Sequence, residues 1–155
     1  MDPQHIERQY LVYLACAITG LSFEDATGWY RKVEKAFPKH LIALKPLRGV
    51  EQLRGERVLK EEYREHPLST PKGIVMRCYN DVDRADGLLV NLLKAKRVSR
   101  GTCGEVGRAA FKKPIVVVMR KGNPHWGDPM MHEPTIVVPT LELGIRTVIE
   151  LVSPV

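Results

Sequence analysis

Two continuous apolar runs, joined by a Gly-rich turn and a helical stretch, constrain the fold of this chain more than any other feature. The first run ends at Asn91, the turn and helix fall in residues 101–109, and the second run occupies 115–119. Strands buried on both faces of a parallel sheet are almost entirely apolar, and a helix must connect parallel neighbours. We therefore predict a βαβ unit whose Gly-rich turn lies at the carboxyl end of the sheet, where open α/β folds bind ligands.

Strand and helix patterns also alternate through the rest of the chain. Runs of β-forming residues predict three further strands, at 10–16, 41–44 and 135–138. N-cap and proline signals, with helical apolar spacing, predict three further helices, at 22–37, 73–84 and from Pro139 onward. The segment 47–72 is less regular, and we expect it to cover part of the site. These patterns predict the α/β class: one Rossmann-like, doubly wound domain over residues 1–155, with a parallel sheet of about five strands flanked by helices.

Length and composition indicate a globular, cytoplasmic protein. The chain has 155 residues, of which 44% are hydrophobic and 27% charged, so we expect one domain with a core of ordinary size. No apolar run approaches the roughly 20 residues of a membrane helix, and the N-terminus lacks the basic and then apolar layout of a signal peptide. We therefore expect no membrane contact.

The spacing of cysteine and histidine indicates neither a disulfide framework nor a metal centre. The cysteines are Cys16, Cys78 and Cys103, an odd number without a Cys-x-x-Cys pair. The histidines are likewise scattered without the spacing of metal ligands. The Gly-rich turn is not a Walker loop, because no Gly-Lys-Ser/Thr follows it. We predict reduced thiols and no metal or other cofactor.

The formal net charge of the chain is +6, which favours an anionic partner. That partner is either nucleic acid or a phosphorylated small molecule, and charge alone does not choose between them. Only 6% of the residues are aromatic, and the chain has neither a zinc finger nor an aromatic RNA-binding motif. A small molecule is therefore the favoured partner, and we expect no stable nucleic-acid complex.

Glu105 is the acidic residue of the Gly-rich turn and helix, and two interpretations of it stay open. If the helix begins near Thr102, the carboxylate lies in the first turn, where the helix dipole lowers its pKa and suits it to act as a nucleophile. Thr102-x-x-Glu105 also has the spacing of a capping box, in which each side chain satisfies a backbone N–H group of the other residue. Capping and catalysis are compatible in one residue.

Four stretches, in this order, resemble the nucleoside 2-deoxyribosyltransferase family, including its nucleotide N-glycosidase members. They are Tyr-Leu-Ala-Cys-Ala-Ile-Thr-Gly at 13–20, Ala-Asp leading into the strand at 85–91, Ser-Arg-Gly-Thr-Cys-Gly-Glu-Val-Gly-Arg-Ala at 99–109, and Lys-Pro-Ile-Val at 113–116. The resemblance implies a Rossmann-like fold and an enzyme that cleaves the N-glycosidic bond of a (deoxy)nucleoside or its monophosphate. It also implies a homodimer or larger homo-oligomer with sites near subunit contacts.

Glu105 matches the family's nucleophilic glutamate, which attacks the anomeric carbon and forms a covalent glycosyl-enzyme that a second base or water resolves. The family's Arg-Asp pair, whose aspartate assists the leaving base, reads Arg77-Cys78 here. Asp81, on the same helical face as Cys78, is the candidate replacement acid, and Asp86 is an alternative. The competing interpretations are a solvated acidic turn for Asp81 and a structural hydrogen bond for Asp86. A chain without the acid is alternatively a nucleotide-binding or sensing module.

The resemblance also implies further substrate contacts. Ser99 and Gly101 match positions that hold the 5′-phosphate, and basic residues lie nearby. Tyr13 matches a site tyrosine, and Met130 or Met131 matches a methionine donated to the site of an adjacent subunit. A core tyrosine and a gap-filling methionine are the alternatives. The full set of expected substrate contacts is Tyr13, Thr19, Gly20, Cys78, Asp86, Asn91, Ser99, Gly101, Thr102 and Met130.

Overall fold

Five parallel strands form the centre of the protein. The computed structural model describes residues 7–47, 53–60 and 67–154. Its strands are β1 (Tyr10–Cys16), β2 (Leu41–Leu44), β3 (Gly87–Asn91), β4 (Ile115–Val118) and β5 (Ile136–Val138). They form one sheet in the order β2-β1-β3-β4-β5, and all four neighbouring pairs are parallel. This arrangement confirms the predicted Rossmann-like α/β class.

Helices cover both faces of the sheet. The α-helices are α1 (Phe23–Thr27), α2 (Tyr30–Ala36), α3 (Pro71–Arg84), α4 (Arg100–Ala109) and α5 (Leu141–Val152), with short 3-10 helices at Pro67–Ser69 and Pro129–Met131. Buried residues of α3 and α4 pack on one face of the sheet, and those of α2 and α5 pack on the other. None of the helices in the described residues is both long and apolar enough to span a membrane.

Alternation along β1 decides which face each side chain reaches. Tyr13 and Ala15 pack in the core beneath α3 and α4, whereas Val12 and Leu14 pack in the core on the side of α5. This follows from the two-residue period of a strand. Tyr13 is therefore directed toward α4, although it lies in the middle of an apolar strand.

The predicted helix at 22–37 is two helices. Ser22 caps α1 as predicted, because its side chain accepts a hydrogen bond from the backbone N–H of Asp25 at 3.0 Å. In a continuous helix, the carbonyl of Ala26 would accept the N–H of residue 30. Instead it accepts the indole N–H of Trp29 at 3.0 Å and the thiol of Cys16 at 3.4 Å. These side-chain donors interrupt the helix at the turn between α1 and α2.

The helix predicted from residue 73 begins earlier, at Pro71. Thr70 is its N-cap, and the Thr70 hydroxyl accepts the backbone N–H of Gly73 at 3.1 Å. Proline suits the first helical position, because the N–H that it lacks would have no partner in the helix. Residues 48–52 and 61–66 of the irregular segment that we expected over the site lie outside the described residues.

Candidate active site

A cavity of about 630 Å³ opens beyond the carboxyl end of β1, between α3 and α4. Leu47, Leu53 and Leu59 contribute to its wall, so the described part of the irregular segment covers this cavity, as predicted. The cavity also contains several of the expected site residues: Thr19, Cys78, Ser99, Gly101, Thr102 and Glu105. The carboxyl end of the sheet is where ligands of such folds bind.

Ser99, rather than Thr102, is the N-cap of α4. The Ser99 hydroxyl accepts the backbone N–H of Thr102 at 3.3 Å, and the Thr102 hydroxyl donates to the carbonyl of Cys16 at 3.1 Å. The predicted capping box of Thr102 and Glu105 is therefore wrong. The Thr102 side chain instead ties the start of α4 to the end of β1, and Glu105 becomes the sixth residue of the helix.

The Glu105 carboxyl lies at the buried end of the cavity. Glu105 is 8% exposed, and the hydroxyl of Tyr13 donates to its Oε1 at 2.8 Å. Burial raises the pKa of Glu105 to about 7, although hydrogen bonds from Tyr13 and Cys78 oppose this shift. The expectation of a lowered pKa is wrong, because Glu105 lies beyond the first turn of α4 and desolvation outweighs the helix dipole. The carboxyl thus changes its charge near neutral pH.

Cys78 lies beside the carboxyl of Glu105, at the position where the family pattern has an acid. Tyr13, Arg77 and the carboxyl of Glu105 all lie close to its thiol. Burial raises the pKa of Cys78, and the negative charge of Glu105 raises it further. The thiol is therefore protonated at neutral pH, and it is a weak acid for a leaving base.

Asp81 is buried but held by an arginine outside the cavity lining. It is 1% exposed, and Arg84 donates to its Oδ1 through Nη2 at 2.9 Å and Nε at 3.1 Å. The interpretation of Asp81 as a solvated residue is therefore wrong. Its negative charge raises the pKa of Glu105, although Asp81 does not itself line the cavity. Its role as the acid stays a prediction.

Asp86 does not reach the cavity. It precedes β3, at the amino end of the sheet, where its Oδ2 accepts the backbone N–H of Leu11 at 2.8 Å and its Oδ1 accepts a hydrogen bond from Arg8 at 3.3 Å. The cavity opens at the opposite, carboxyl end of the strands. The geometry therefore supports the structural interpretation of Asp86 rather than substrate binding.

Three other expected contacts lie at the edge of the cavity or away from it. Gly20 has φ +85°, which favours glycine, and its N–H donates to the carbonyl of Leu59 at 3.0 Å. Asn91 lines a second cavity, of about 460 Å³, on the side of α5. Met130 is 56% exposed and does not line the cavity of its own chain, so its contact with an adjacent subunit stays a prediction.

Arg77, which sequence reasoning used only to locate Cys78, lines the cavity with unpaired donors. Its Nε and Nη1 atoms are buried and have no hydrogen-bond partner among the described residues. Among the residues that the structure describes, the cavity lining contains four basic side chains and one acidic side chain, Glu105; the basic ones are Lys60, Arg77, Arg97 and Arg100. The cavity therefore suits a ligand rich in negative charge and hydrogen-bond acceptors.

His125 is a second residue that sequence reasoning missed. It is fully buried, and its Nε2 accepts the backbone N–H of Ser99 at 2.9 Å. Its Nδ1 lies 3.0 Å from Oδ1 of Asn123, whose amide nitrogen donates to the carbonyl of Leu92 at 2.7 Å. Desolvation lowers the pKa of His125, so the ring stays neutral and can accept at Nε2. This chain of bonds fixes the start of α4 at the cavity.

Comparisons with known proteins agree with the fold and with the resemblance. One solved structure, described as a conserved protein from Enterococcus faecalis V583, superposes with a TM-score of 0.54 at 15% identity, covering 93% of this chain and 97% of that one. Curated proteins give no match. The nucleoside 2-deoxyribosyltransferase family matches residues 12–146. Because this match spans well over half of the chain, the protein belongs to the nucleoside 2-deoxyribosyltransferase family.

Proposed function

We propose that the protein cleaves the N-glycosidic bond of a (deoxy)nucleoside or nucleoside monophosphate, with Glu105 as the nucleophile. The observation that carries this proposal is the buried Glu105 carboxyl in the cavity, with the Tyr13 hydroxyl 2.8 Å from its Oε1. Family membership supports an enzyme of this class. Incubation with a panel of nucleosides and monophosphates, with and without a free base, tests it; cleavage without an added base indicates hydrolysis, and base exchange indicates transfer.

The proposed reaction uses the ionised form of Glu105. The transition state resembles an oxocarbenium ion, and a carboxylate held beside the sugar stabilises its positive charge and then captures it. The carbon–nitrogen bond breaks as the carbon–oxygen bond of the glycosyl ester forms, and the electron pair leaves with the base. Water or a second base then attacks the anomeric carbon and returns Glu105 to its carboxylate form. The hydroxyl of Tyr13 orients the carboxylate and favours its ionised state.

The start of α4 is the proposed site for a 5′-phosphate. The N–H of Ser99 is taken by His125, and the N–H of Thr102 is taken by the Ser99 hydroxyl. The intervening N–H groups, of Arg100 and Gly101, lie in the first turn, where a helix has no internal acceptors. A Cβ at Gly101 would meet no atom within 4 Å, so a ligand has room to approach its backbone. Helix N-termini of this kind bind phosphate.

A monophosphate is therefore expected to bind more tightly than its nucleoside, by roughly tenfold or more, the equivalent of one charge-assisted hydrogen bond. Calorimetry on a non-cleaving Glu105→Gln variant measures this ratio, which should fall as salt rises. Arg100→Gln should reduce the ratio. Lys94→Gln is the matched control, because Lys94 pairs with Asp25 at 2.7 Å and lines the second cavity. Equal affinities for the two ligands would remove the phosphate from the proposal.

A sensing module that binds nucleotides without turnover is the second candidate, and the thiol at Cys78 favours it. Cys78→Asp separates the two candidates. Two carboxyls that share a buried site repel, so one keeps its proton and can serve as an acid while the other stays ionised. We expect the cleavage rate to rise by about 10²-fold, the lower end for a general acid. A protein that binds nucleotide and stays inactive in this variant supports the sensing module.

Asp81→Asn is the companion measurement, with Asp83→Asn as its control, because Asp83 is an exposed aspartate of α3 that pairs with Arg108 at 2.6 Å. A silent Cys78→Asp together with a damaging Asp81→Asn would mean that Asp81 already supplies the proton.

A further inference from the structure

The proposed reaction gives no role to the guanidinium of Arg77, which lines the cavity. Two of its nitrogens, Nε and Nη1, are buried without a hydrogen-bond partner among the described residues. Leaving buried donors unpaired destabilises a folded protein. A substrate with acceptor atoms at this position would satisfy both donors on binding.

The position of Arg77 indicates which part of the substrate it faces. It is three residues beyond Ile74 on α3, so both side chains lie on one face of that helix, and both line the cavity. The same cavity is also lined by apolar side chains that suit a flat ring, among them Pro46, Leu47, Leu53 and Leu59. The start of α4, with the first-turn N–H groups of Arg100 and Gly101, forms the polar side. A nucleotide with its phosphate at α4 and its sugar at Glu105 therefore extends its base toward Arg77.

A base that lies near Arg77 would be affected by this side chain when it leaves. The base receives the electron pair of the broken bond, and it must be either protonated or stabilised as an anion. The neighbouring thiol of Cys78 is a weak acid. A guanidinium keeps its proton at any ordinary pH, but it donates hydrogen bonds to negatively charged oxygens more strongly than neutral donors do.

We propose, on the basis of the proposed function, that Arg77 determines base specificity, so that the protein acts on nucleosides or nucleotides with an oxo group at C6 of a purine or C4 of a pyrimidine and disfavours analogues with an amino group there. As the bond to the anomeric carbon breaks, its electron pair delocalises in part onto the carbonyl oxygen at C6 of the purine or C4 of the pyrimidine, and Arg77 donates hydrogen bonds to that oxygen of the resulting anion. The released base takes a proton from water. Hydrolysis of the glycosyl ester at Glu105 consumes one water molecule, so the products are the free sugar and the neutral base.

Substrate pairs that differ in one substituent test this specificity: deoxyinosine against deoxyadenosine, deoxyuridine against deoxycytidine, and the 5′-monophosphates of all four. We expect wild-type kcat/KM to favour the oxo member of each pair by roughly tenfold or more. Arg77→Met should lower kcat/KM for the oxo members by about 10²-fold, as removal of a transition-state donor does elsewhere, and should leave the amino members nearly unchanged. Arg77→Lys, which keeps the charge but loses the planar donors, should be intermediate. Arg146→Met, at an exposed position of α5, is the control.

Three results would overturn the assignment of Arg77 to the base. One is an equal loss for both members of each pair in Arg77→Met. Another is that Arg77→Met lowers kcat/KM for monophosphates but not for nucleosides, which would place Arg77 at the phosphate. The third is fastest cleavage of nicotinamide mononucleotide, whose cationic base leaves without needing an anion-stabilising group.

Failure of the proposed function is distinguishable from failure of this inference. If the wild-type protein cleaves no substrate, the enzymatic proposal fails, and calorimetry with the same pairs still tests recognition by Arg77. Tighter binding of the oxo members, lost in Arg77→Met, supports the inference as a binding specificity. Equal binding of both members contradicts it.

Discussion

Glu105→Gln is expected to lower kcat for N-glycosidic cleavage by roughly 10³-fold or more, because an amide cannot form the glycosyl ester. Glutamine preserves the volume of the side chain, and its amide oxygen can still accept the hydrogen bond of Tyr13. The variant should therefore fold and bind nucleotide like the wild type. Single-turnover kinetics with calorimetry separates the loss of chemistry from any loss of binding. Turnover like that of the wild type would refute Glu105 as the nucleophile.

Trapping of a covalent adduct at Glu105 tests the same mechanism directly. A nucleoside with fluorine at the 2-position of the sugar destabilises the oxocarbenium-like state of the second step, so the glycosyl ester should accumulate. Mass spectrometry of peptides should locate the added mass on Glu105. Glu142→Gln, which removes an exposed carboxyl in the first turn of α5, should leave the adduct unchanged. Measurable turnover without any adduct would indicate direct attack by water.

Glu105→Gln is also expected to stabilise the folded protein above neutral pH. Burial raises the pKa of Glu105 from 4.5 to about 7, so between these values the folded carboxyl holds a proton that the unfolded one has lost. Stability falls as pH rises wherever the folded state binds more protons. Each pH unit of that interval lowers the free energy of unfolding by roughly 1.4 kcal/mol, so the loss reaches about 3 kcal/mol above pH 7. Glutamine does not titrate and avoids this loss.

Urea unfolding of both proteins across the pH range measures the difference. The free energies of unfolding of Glu105→Gln and the wild type should be close near pH 4.5, should diverge as pH rises, and should differ by a constant amount well above pH 7. Glu150→Gln removes a carboxyl from an exposed position of α5 and should track the wild type throughout. A difference that does not change with pH would mean that Glu105 titrates at its ordinary pKa in the folded protein.

The fold was predictable because its signals are local. Apolar runs such as Ile115–Val118 identify strands buried on both faces, and the helix between two of them requires parallel pairing. The prediction of one continuous helix at 22–37 was wrong because of a tertiary contact. The side chains of Trp29 and Cys16 both bond the carbonyl of Ala26, and the second of these donors comes from another element.

The position of Glu105 at the ligand cavity was predictable from the sequence, but the environment of its carboxyl was predicted wrongly. Glu105 was singled out by its place in the Gly-rich turn and then matched the family's nucleophile, but local sequence placed it in the first turn of the helix. In the folded protein its carboxyl is buried and accepts a hydrogen bond from Tyr13, which is 92 positions earlier in the chain. The role of His125 was not predicted because the residue that it binds, Ser99, is 26 positions away in the sequence. The pattern Asn-x-His after a buried strand is a signal worth testing in other chains. Arg77 is recognisable only by two buried nitrogens that have no partner in the described part of the chain, which no sequence pattern reveals.

The burial of Glu105 also bears on how this chain would change over generations. A protein that only bound nucleotides would gain stability at neutral pH from almost any neutral replacement of similar size at this position. Random substitution would then tend to remove the carboxyl, because nothing would counter the gain. A glutamate held in such a costly place is what selection for chemistry maintains, and its presence favours a working enzyme over a sensing module.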